Sequence, residues 1–334
     1  MNTADSYGRE VPIAAFATVP GNSALTLIRC SGKGSVEIAA SVFSAPQKLL
    51  QAAGNTALYG WIKGGADNSG INTNGAKIDE VLITVFRSPK SYTGEDGLDI
   101  CCHGGTAAGR AVLETLKAAG FADALQGEFT FRSFMNGKMD LTRCESVMEL
   151  VSAKTDRGRS HAVGRLCGIL EKEINEIKNA LVAVLSAAEI FLDYSEDEIS
   201  ADPAEAEGRL PAQDTAREVL ERLKKLLTSW QTERIYQEGV FAVIAGRPNA
   251  GKSSLFNLLL KEERSIVTEV PGTTRDWIEA WVSVDGIPVR LADTAGLRES
   301  NDLVEKIGVE RSRELLHEAE LVFYLIDGAI GVTA

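Results

Sequence analysis

Histidine is nearly missing from this sequence, with three in 334 residues, and the five cysteines (positions 30, 101, 102, 144 and 167) include no C-x-x-C pair. Zinc-finger spacing and a disulfide framework both require such residues in repeated pairs, so both are excluded. The odd cysteine count reads as reduced thiols in the cytoplasm. Long apolar runs are also absent: no stretch approaches the roughly 18 uninterrupted apolar residues of a membrane span. Residues 1–20 carry Asp5, Arg9 and Glu10 without a basic start followed by an apolar run, so no signal peptide is expected. Positive charge is in short supply. The 35 Lys and Arg against 47 Asp and Glu give a net charge of −12. That excludes a uniformly basic nucleic-acid coat and leaves room for a local basic groove.

What is present is the balance of a soluble globular chain, 44% hydrophobic and 25% charged, with a length that suits two or three domains. The first 125 residues mix β-rich runs (Ala24–Arg29, Ala57–Ile62, Glu80–Arg87) with two helical patterns, Ser35–Phe43 and Thr106–Ala119, the second closed by Gly120. Gly64–Gly75 reads as a flexible surface hairpin or loop. An α+β domain over residues 1–130 is expected. From about Arg132 the strand signal disappears. Val163, Leu166, Leu170, Ile174, Ile177, Leu181, Val184, Ala188 and Phe191 form one apolar stripe, which predicts a single long helix needing partners, and Asp214–Trp230 supplies one more. Residues 131–236 are therefore expected to be helical. Between these helices, residues 189–215 hold nine acids and one base, read as a solvated acidic turn.

From Gly239 the pattern changes to α/β. Val240–Ala245 is a buried parallel strand by composition, Trp277–Val284 and Ile287–Ala292 form a hairpin around Asp285-Gly286, and Leu321–Ile326 is another buried strand. Gly246-Arg247-Pro248-Asn249-Ala250-Gly251-Lys252-Ser253 matches G-x4-G-K-[ST] between a strand and the helical run Ser254–Leu260. Backbone N–H groups of such a loop curl around a β-phosphate, Lys252 bridges β- and γ-phosphate oxygens, and the Ser253 hydroxyl ligates Mg²⁺. Asp293-Thr294-Ala295-Gly296 follows an apolar strand, as a Mg²⁺-associated carboxylate and a γ-phosphate-sensing glycine would. Between them Pro271-Gly272-Thr273-Thr274-Arg275-Asp276 reads as an order–disorder switch whose threonine reaches Mg²⁺ only when the γ-phosphate is present. Leu297 stands where Ras-like proteins place a water-orienting glutamine, so hydrolysis needs another group, and Glu305 is the candidate. Arg275 and Arg298 read as solvated surface arginines. The base-reading N-K-x-D is absent after the Leu321–Ile326 strand, and the 237–334 segment is expected to be the truncated first part of a P-loop domain.

These three motifs resemble the translation-factor-related GTPases with a P-G-T-T-R-D switch. The upstream residues sharpen the resemblance: Leu27-Ile28-Arg29-Cys30-Ser31-Gly32, Ser91-Tyr92-Thr93-Gly94-Glu95-Asp96, His103-Gly104-Gly105, Gly127-Glu128-Phe129-Thr130 and Asn136-Gly137-Lys138-Met139-Asp140-Leu141. From about residue 10 to 334 the chain closely resembles the MnmE (TrmE) family of tRNA-modification GTPases.

The resemblance implies a folate-binding, aminomethyltransferase-like N-terminal domain that forms a homodimer, a helical middle domain and a P-loop GTPase domain inserted into it. It implies a potassium-activated GTPase that works with the FAD-dependent MnmG, as a heterotetramer. Together they add an aminomethyl or carboxymethylaminomethyl group at C5 of the tRNA wobble uridine. The one-carbon donor is 5-formyltetrahydrofolate or methylene-tetrahydrofolate. Arg29, Asp99 and Lys138 fall on the family's folate contacts, with Asp99 where the family more often has Glu. GTP contacts are implied at Asn249, Ala250, Gly251, Lys252, Ser253 and Ser254, at Thr268, Glu269, Val270, Pro271, Gly272, Thr273 and Thr274, and at Asp293, Thr294, Ala295 and Gly296. Mg²⁺ falls to Ser253 and Thr274, K⁺ to Asn249, Thr268, Val270 and Thr273, and the catalytic roles to Glu305 and Lys252. A ribosome-assembly or RNA-associated GTPase switch shares the nucleotide motifs but predicts a lysine-rich GxxG domain that is not seen. A folate transferase with a degenerate nucleotide site is disfavoured by intact Lys252, Ser253 and Asp293.

Overall fold

A computed structural model of the chain describes residues 11–64, 75–193, 209–247, 250–262, 279–293 and 315–328. The chain divides into two compact units, Met1–Cys144 and Glu145–Ala334.

In the first unit, β-branched and apolar residues at every second position build a six-stranded sheet. Its strands are β1 (Ile13–Phe16), β2 (Leu25–Ser31), β3 (Thr56–Lys63), β4 (Lys77–Phe86), β5 (Gly97–His103) and β6 (Ala122–Asp123), in the order β3-β4-β5-β2-β1-β6. Neighbours are antiparallel except β1 and β6. The alternation decides which face is covered. Ile28, Cys30, Val81, Ile83, Val85, Leu98 and Ile100 are all buried. They meet Val36 and Ala39 of α1 (Ser35–Val42), and Val112 and Leu116 of α3 (Thr106–Ala119). Burying each large aliphatic side chain in that layer contributes about 1.5–3 kcal/mol. Short α2 (Pro46–Gln51) adds Leu49, and α4 (Glu128–Met135) follows β6. Arg29 and Asp99, one position out of phase with the core residues, fall on the opposite face of the sheet.

Helix α5 (Leu141–Ser152) runs through the division between the units. The second unit continues with α6 (Asp156–Leu166), whose N-cap Thr155 hydroxyl accepts from Gly158 N–H, then α7 (Ile169–Asp193) and α8 (Arg209–Glu238). The apolar stripe that predicts one helix from Val163 to Phe191 is instead split. Gly168 takes φ +83° and its N–H bonds back to Arg165 O, which ends α6 and restarts the chain as α7. Periodicity carries no mark of such a break, because the apolar spacing continues across it. Helices α7 and α8 pack together, joined by Arg222 to Glu173 (2.9 Å) and Glu176 (2.8 Å).

After α8 comes a four-stranded sheet, order β10-β7-β9-β8, made of β7 (Val240–Gly246), β8 (Glu279–Val284), β9 (Ile287–Asp293) and β10 (Leu321–Leu325). β7 is parallel to both β10 and β9, while β8 returns antiparallel along β9. The expected hairpin forms around Asp285 and Gly286, both at positive φ (+50° and +81°), as a type I′ turn requires. Helix α9 (Lys252–Glu262) covers one face, with Phe256 against Ala242, Ile244 and Leu291.

The joint between α8 and β7 is Gly239, at φ +78°. A Cβ there would lie 2.4 Å from Pro288 O and 2.8 Å from the Trp281 ring. Gly239→Ala is expected to destabilise the second unit by about 2 kcal/mol or more, combining left-handed strain with a backbone clash. A thermal melt that shows no loss would contradict this packing.

Candidate functional site

The first unit holds a cavity of about 240 Å³ on the uncovered face of its sheet, walled by Arg29, Ser31, Tyr92, Thr93, Asp99 and Phe129 among others. Register creates its charged floor. β2 and β5 pair so that Arg29 lies directly opposite Asp99. The guanidinium forks onto the carboxylate, Nε to Oδ1 at 2.9 Å and Nη2 to Oδ2 at 3.0 Å. This bidentate bond holds the Arg29 proton more tightly than usual, with partial burial opposing it. The Arg29 guanidinium also sits 5.6 Å from the centre of the Tyr92 ring, within cation–π range. The two buried cysteines of these strands are inert. Burial drives the Cys30 thiol upward, and burial with help from Asp79 pushes Cys102 up to about 11, so neither is a thiolate at neutral pH.

Of the three residues expected to contact folate, the structure brings two together. Lys138 is exposed, donates from Nζ to Pro89 O at 3.1 Å, and is not on the cavity wall. Tyr92, Thr93 and Phe129 were not singled out individually from the sequence. They sit inside two of the quoted motifs, S-Y-T-G-E-D and G-E-F-T, and that is the only signal pointing to them.

In the second unit the phosphate-loop sequence leaves the carboxyl end of β7, the strand flanked on both sides by parallel neighbours, and enters α9. Ligands of α/β sheets bind outside such strand ends. Ala250, Gly251, Lys252, Ser253 and Ser254 lie at this turn and the first residues of α9. The Lys252 side chain is buried, and its ammonium donates to Gly246 O (3.0 Å) and Arg247 O (2.9 Å). The lysine is thereby folded over its own loop, where a phosphate would take over its charge. Asp293 ends β9 and pairs in register with Ile244, two residues before Gly246. Two motifs 40 residues apart in sequence thus end on adjacent parallel strands. The oxygen donors expected for Mg²⁺ are of the hard type this cation selects. Among the described residues, no group of three or more His, Cys, Asp or Glu is arranged to hold a metal. Asn249, Thr268, Glu269, Val270, Pro271, Gly272, Thr273, Thr274, Thr294, Ala295, Gly296 and Glu305 lie outside the described residues.

Comparison with known proteins agrees with this layout. The family model described as the GTP-binding protein TrmE N-terminus matches residues 12–138, and one described as a 50S ribosome-binding GTPase matches residues 241–334. The tRNA modification GTPase MnmE of Treponema denticola is 46% identical over 321 residues, 96% of this chain and 65% of that protein. Its counterpart in Treponema pallidum is 44% identical, covering 99% and 64%. The one in Carboxydothermus hydrogenoformans is 42% identical, covering 97% and 68%. The chain belongs to the MnmE family. It spans about two thirds of the length of these relatives. A TrmE-type N-terminal region and a P-loop GTPase region are both present in this MnmE-family chain. No helix among the described residues is long and apolar enough to cross a membrane.

The histidine of the H-G-G motif ends β5 and bonds to β4. Asp79, buried at the start of β4, accepts from His103 N–H (2.9 Å), pairs with His103 Nδ1 (2.7 Å) and accepts from Glu80 N–H (2.8 Å). The bond and charge of Asp79 raise the His103 pKa above its ordinary value of about 6.5. A raised folded-state pKa contributes stability that is complete below the unfolded value and is lost as pH rises through the folded one. Asp79→Asn is therefore expected to return the His103 titration, followed by NMR, toward 6.5, and to flatten the stability decline above that pH. An unshifted His103 in the variant would refute the pairing.

Proposed function

We propose that this chain forms the folate- and nucleotide-binding part of a GTP-hydrolysing tRNA modification factor. The observation that carries the reading is the juxtaposition of the phosphate loop and Asp293 on neighbouring parallel strands, in an MnmE-family chain whose first unit holds the Arg29–Asp99 cavity. In this reading residues 1–130 form the folate-binding and dimerising domain, 131–236 the helical domain and 237–334 the nucleotide domain.

Lys252 would leave the loop carbonyls for the β- and γ-phosphate oxygens of GTP, and Ser253 and Thr274 would hold Mg²⁺ through their hydroxyls. Asn249, Thr268, Val270 and Thr273 present oxygens to K⁺. When bound, the two cations supply positive charge that no evident arginine finger provides. Because Leu297 cannot orient water, Glu305 would orient the attacking water. The G domains would pair over the bound nucleotide.

At the first site Asp99 accepts two N–H bonds from the pterin amine and ring nitrogen, while Arg29 and Lys138 complement the anionic ligand. A cavity of about 240 Å³ lies below the ~300–1,000 Å³ of a full ligand site, so it suits the bicyclic head, with the remainder outside. The donor is 5-formyltetrahydrofolate or methylene-tetrahydrofolate. The protein acts in the cytoplasm as a homodimer through its N-terminal domain. With FAD-dependent MnmG as a heterotetramer, it adds the aminomethyl or carboxymethylaminomethyl group at C5 of the tRNA wobble uridine.

Three measurements test this reading. Lys252→Ala should abolish nucleotide binding in a fluorescence titration. Single-turnover GTP hydrolysis should fall on the order of 10²–10³-fold in Glu305→Ala, and steeply when Na⁺ replaces K⁺, with GTP affinity largely kept. Turnover within about threefold of wild type in K⁺ would sink the assigned mechanism. At the other site, Arg29→Ala should lose 5-formyltetrahydrofolate binding while nucleotide affinity stays intact.

A further inference from the structure

The charged floor of the Arg29–Asp99 cavity is a bond whose two halves differ in freedom. Both residues stand on strands inside the sheet, β2 between β1 and β5, and β5 between β2 and β4, so the ladders fix both backbones. The short Asp99 side chain is 16% exposed, whereas Arg29 reaches it on a long, flexible stem and is 35% exposed. The wall beside them is fixed as well. In the loop between β4 and β5, the Tyr92 hydroxyl bonds Thr130 (2.9 Å), Ser133 Oγ donates to Tyr92 O (2.9 Å) and Asn136 Nδ2 donates to Thr93 O (2.8 Å), all from α4 and the turn after it. Arg29 is therefore the member of the pair that can move.

The fork occupies the edge of Asp99 that a flat ring would need. A carboxylate has one edge on which both oxygens accept from a single planar partner, and Arg29 Nε (2.9 Å) and Nη2 (3.0 Å) fill it. The remaining lone pairs point sideways from the two oxygens, and one ring cannot meet both. The donors that Arg29 presents are two nitrogens attached to a common carbon, Cζ. The amine and ring N–H of a 2-amino-4-oxo heterocycle are likewise two nitrogens on one carbon. The two edges share their spacing and their donor pattern, so they compete for one acceptor edge.

We propose that the Arg29–Asp99 fork is an exchangeable bond: a ring with a guanidine-like donor edge takes the Asp99 carboxylate, and Arg29 is displaced from it. Both residues line the cavity, so an occupant reaches them directly. The released guanidinium stays near the Tyr92 ring, whose centre is 5.6 Å away in the fork, and donates to a carbonyl or carboxylate of the occupant. Its exposure keeps the swing inexpensive, because an ion pair reached by water contributes little on its own.

Arg29 thus serves twice. It stands in for the donor edge of the occupant while Asp99 holds it, and it meets the anionic part of the occupant once displaced. The exchange also selects a chemical class, since only a ring with two adjacent N–H donors replaces both bonds of the fork. This rests on the folate reading above and adds to it what gives way on binding.

A crystal structure of the whole chain with 5-formyltetrahydrofolate tests the exchange. It is read beside calorimetric titrations of that folate, of pterin, and of lumazine, in which an oxygen replaces the pterin amine. The expected structure has the ring amine and N–H on Asp99, with Arg29 Nε and Nη2 beyond about 4 Å from the carboxylate, outside ion-pair range. Pterin is expected to bind at least about tenfold more tightly than lumazine, which sets a carbonyl against the carboxylate in place of one donor. A fork intact at 2.9 and 3.0 Å with folate bound in the same cavity overturns the exchange and leaves the folate reading standing. Equal affinity for pterin and lumazine overturns the selection of a donor edge, and the exchange with it. No folate binding in the titration overturns the folate reading itself, together with the occupant named here.

Discussion

Strand register is the constraint on which both candidate sites rest. In the six-stranded sheet it sets Arg29 opposite Asp99, and in the four-stranded sheet it sets Ile244, two residues before the phosphate loop, opposite Asp293. Side chains alternate between faces with a period of two, so a slip of one residue would turn Arg29 into the helix-covered core and bring Ile28 or Cys30 out. The hydrophobic layer prevents that slip. Ile28, Cys30, Leu98 and Ile100 are each at most 2% exposed, and reversing their faces would lose several kcal/mol. The core therefore does more than stabilise the first unit, because it also fixes which charges meet on the open face.

The two sites are built to different plans. The cavity of the first unit is a rigid arrangement, with a sheet floor and a wall loop bonded to α4 at several points. Its charged anchor, Arg132 bonded to Glu128, is buried, and losing Arg132 would leave the buried Glu128 carboxylate uncompensated. The phosphate loop is a turn at a strand end whose lysine bonds to neutral carbonyls of its own loop. Carbonyl partners are weaker than the doubly charged phosphates the lysine is suited to, so the loop's full electrostatic gain comes only with a nucleotide. A rigid site suits recognition of a ring system, and a loop that exchanges partners suits a nucleotide that is bound, cleaved and released.

How legible each part was in the sequence follows from how local its physics is. The phosphate loop needs contiguous glycines, lysine and serine between a strand and a helix, so Gly246 to Ser253 announced both its structure and its chemistry. The Asp285-Gly286 hairpin was equally plain, because few residue pairs take two positive φ values. Arg29, Asp99 and Lys138 carried no such local mark, and only resemblance to a family pointed to them. Asp99 sits on β5, which was missed because Gly97–His103 mixes glycine, aspartate and two cysteines, although Leu98, Ile100 and Cys102 alternate inward. The break at Gly168 escaped for the opposite reason: the apolar spacing persisted while a single left-handed residue ended the helix. Tyr92 and Thr93 lay in a quoted motif, yet their placement depends on contacts with α4 and the turn after it about 40 residues away, which no local pattern encodes.

In the proposed reading one chain carries two separate ligand sites, one for a reduced folate on the β2–β5 face and one for a nucleotide at the β7–α9 turn. The most direct test is a two-ligand chemical-shift map of the backbone amides. Adding 5-formyltetrahydrofolate should move resonances of Arg29, Tyr92 and Asp99 and leave residues 250–262 in place, while Mg²⁺–GTP should do the reverse. Folate shifts centred on the phosphate loop, or absent from β2 and β5, would contradict the account.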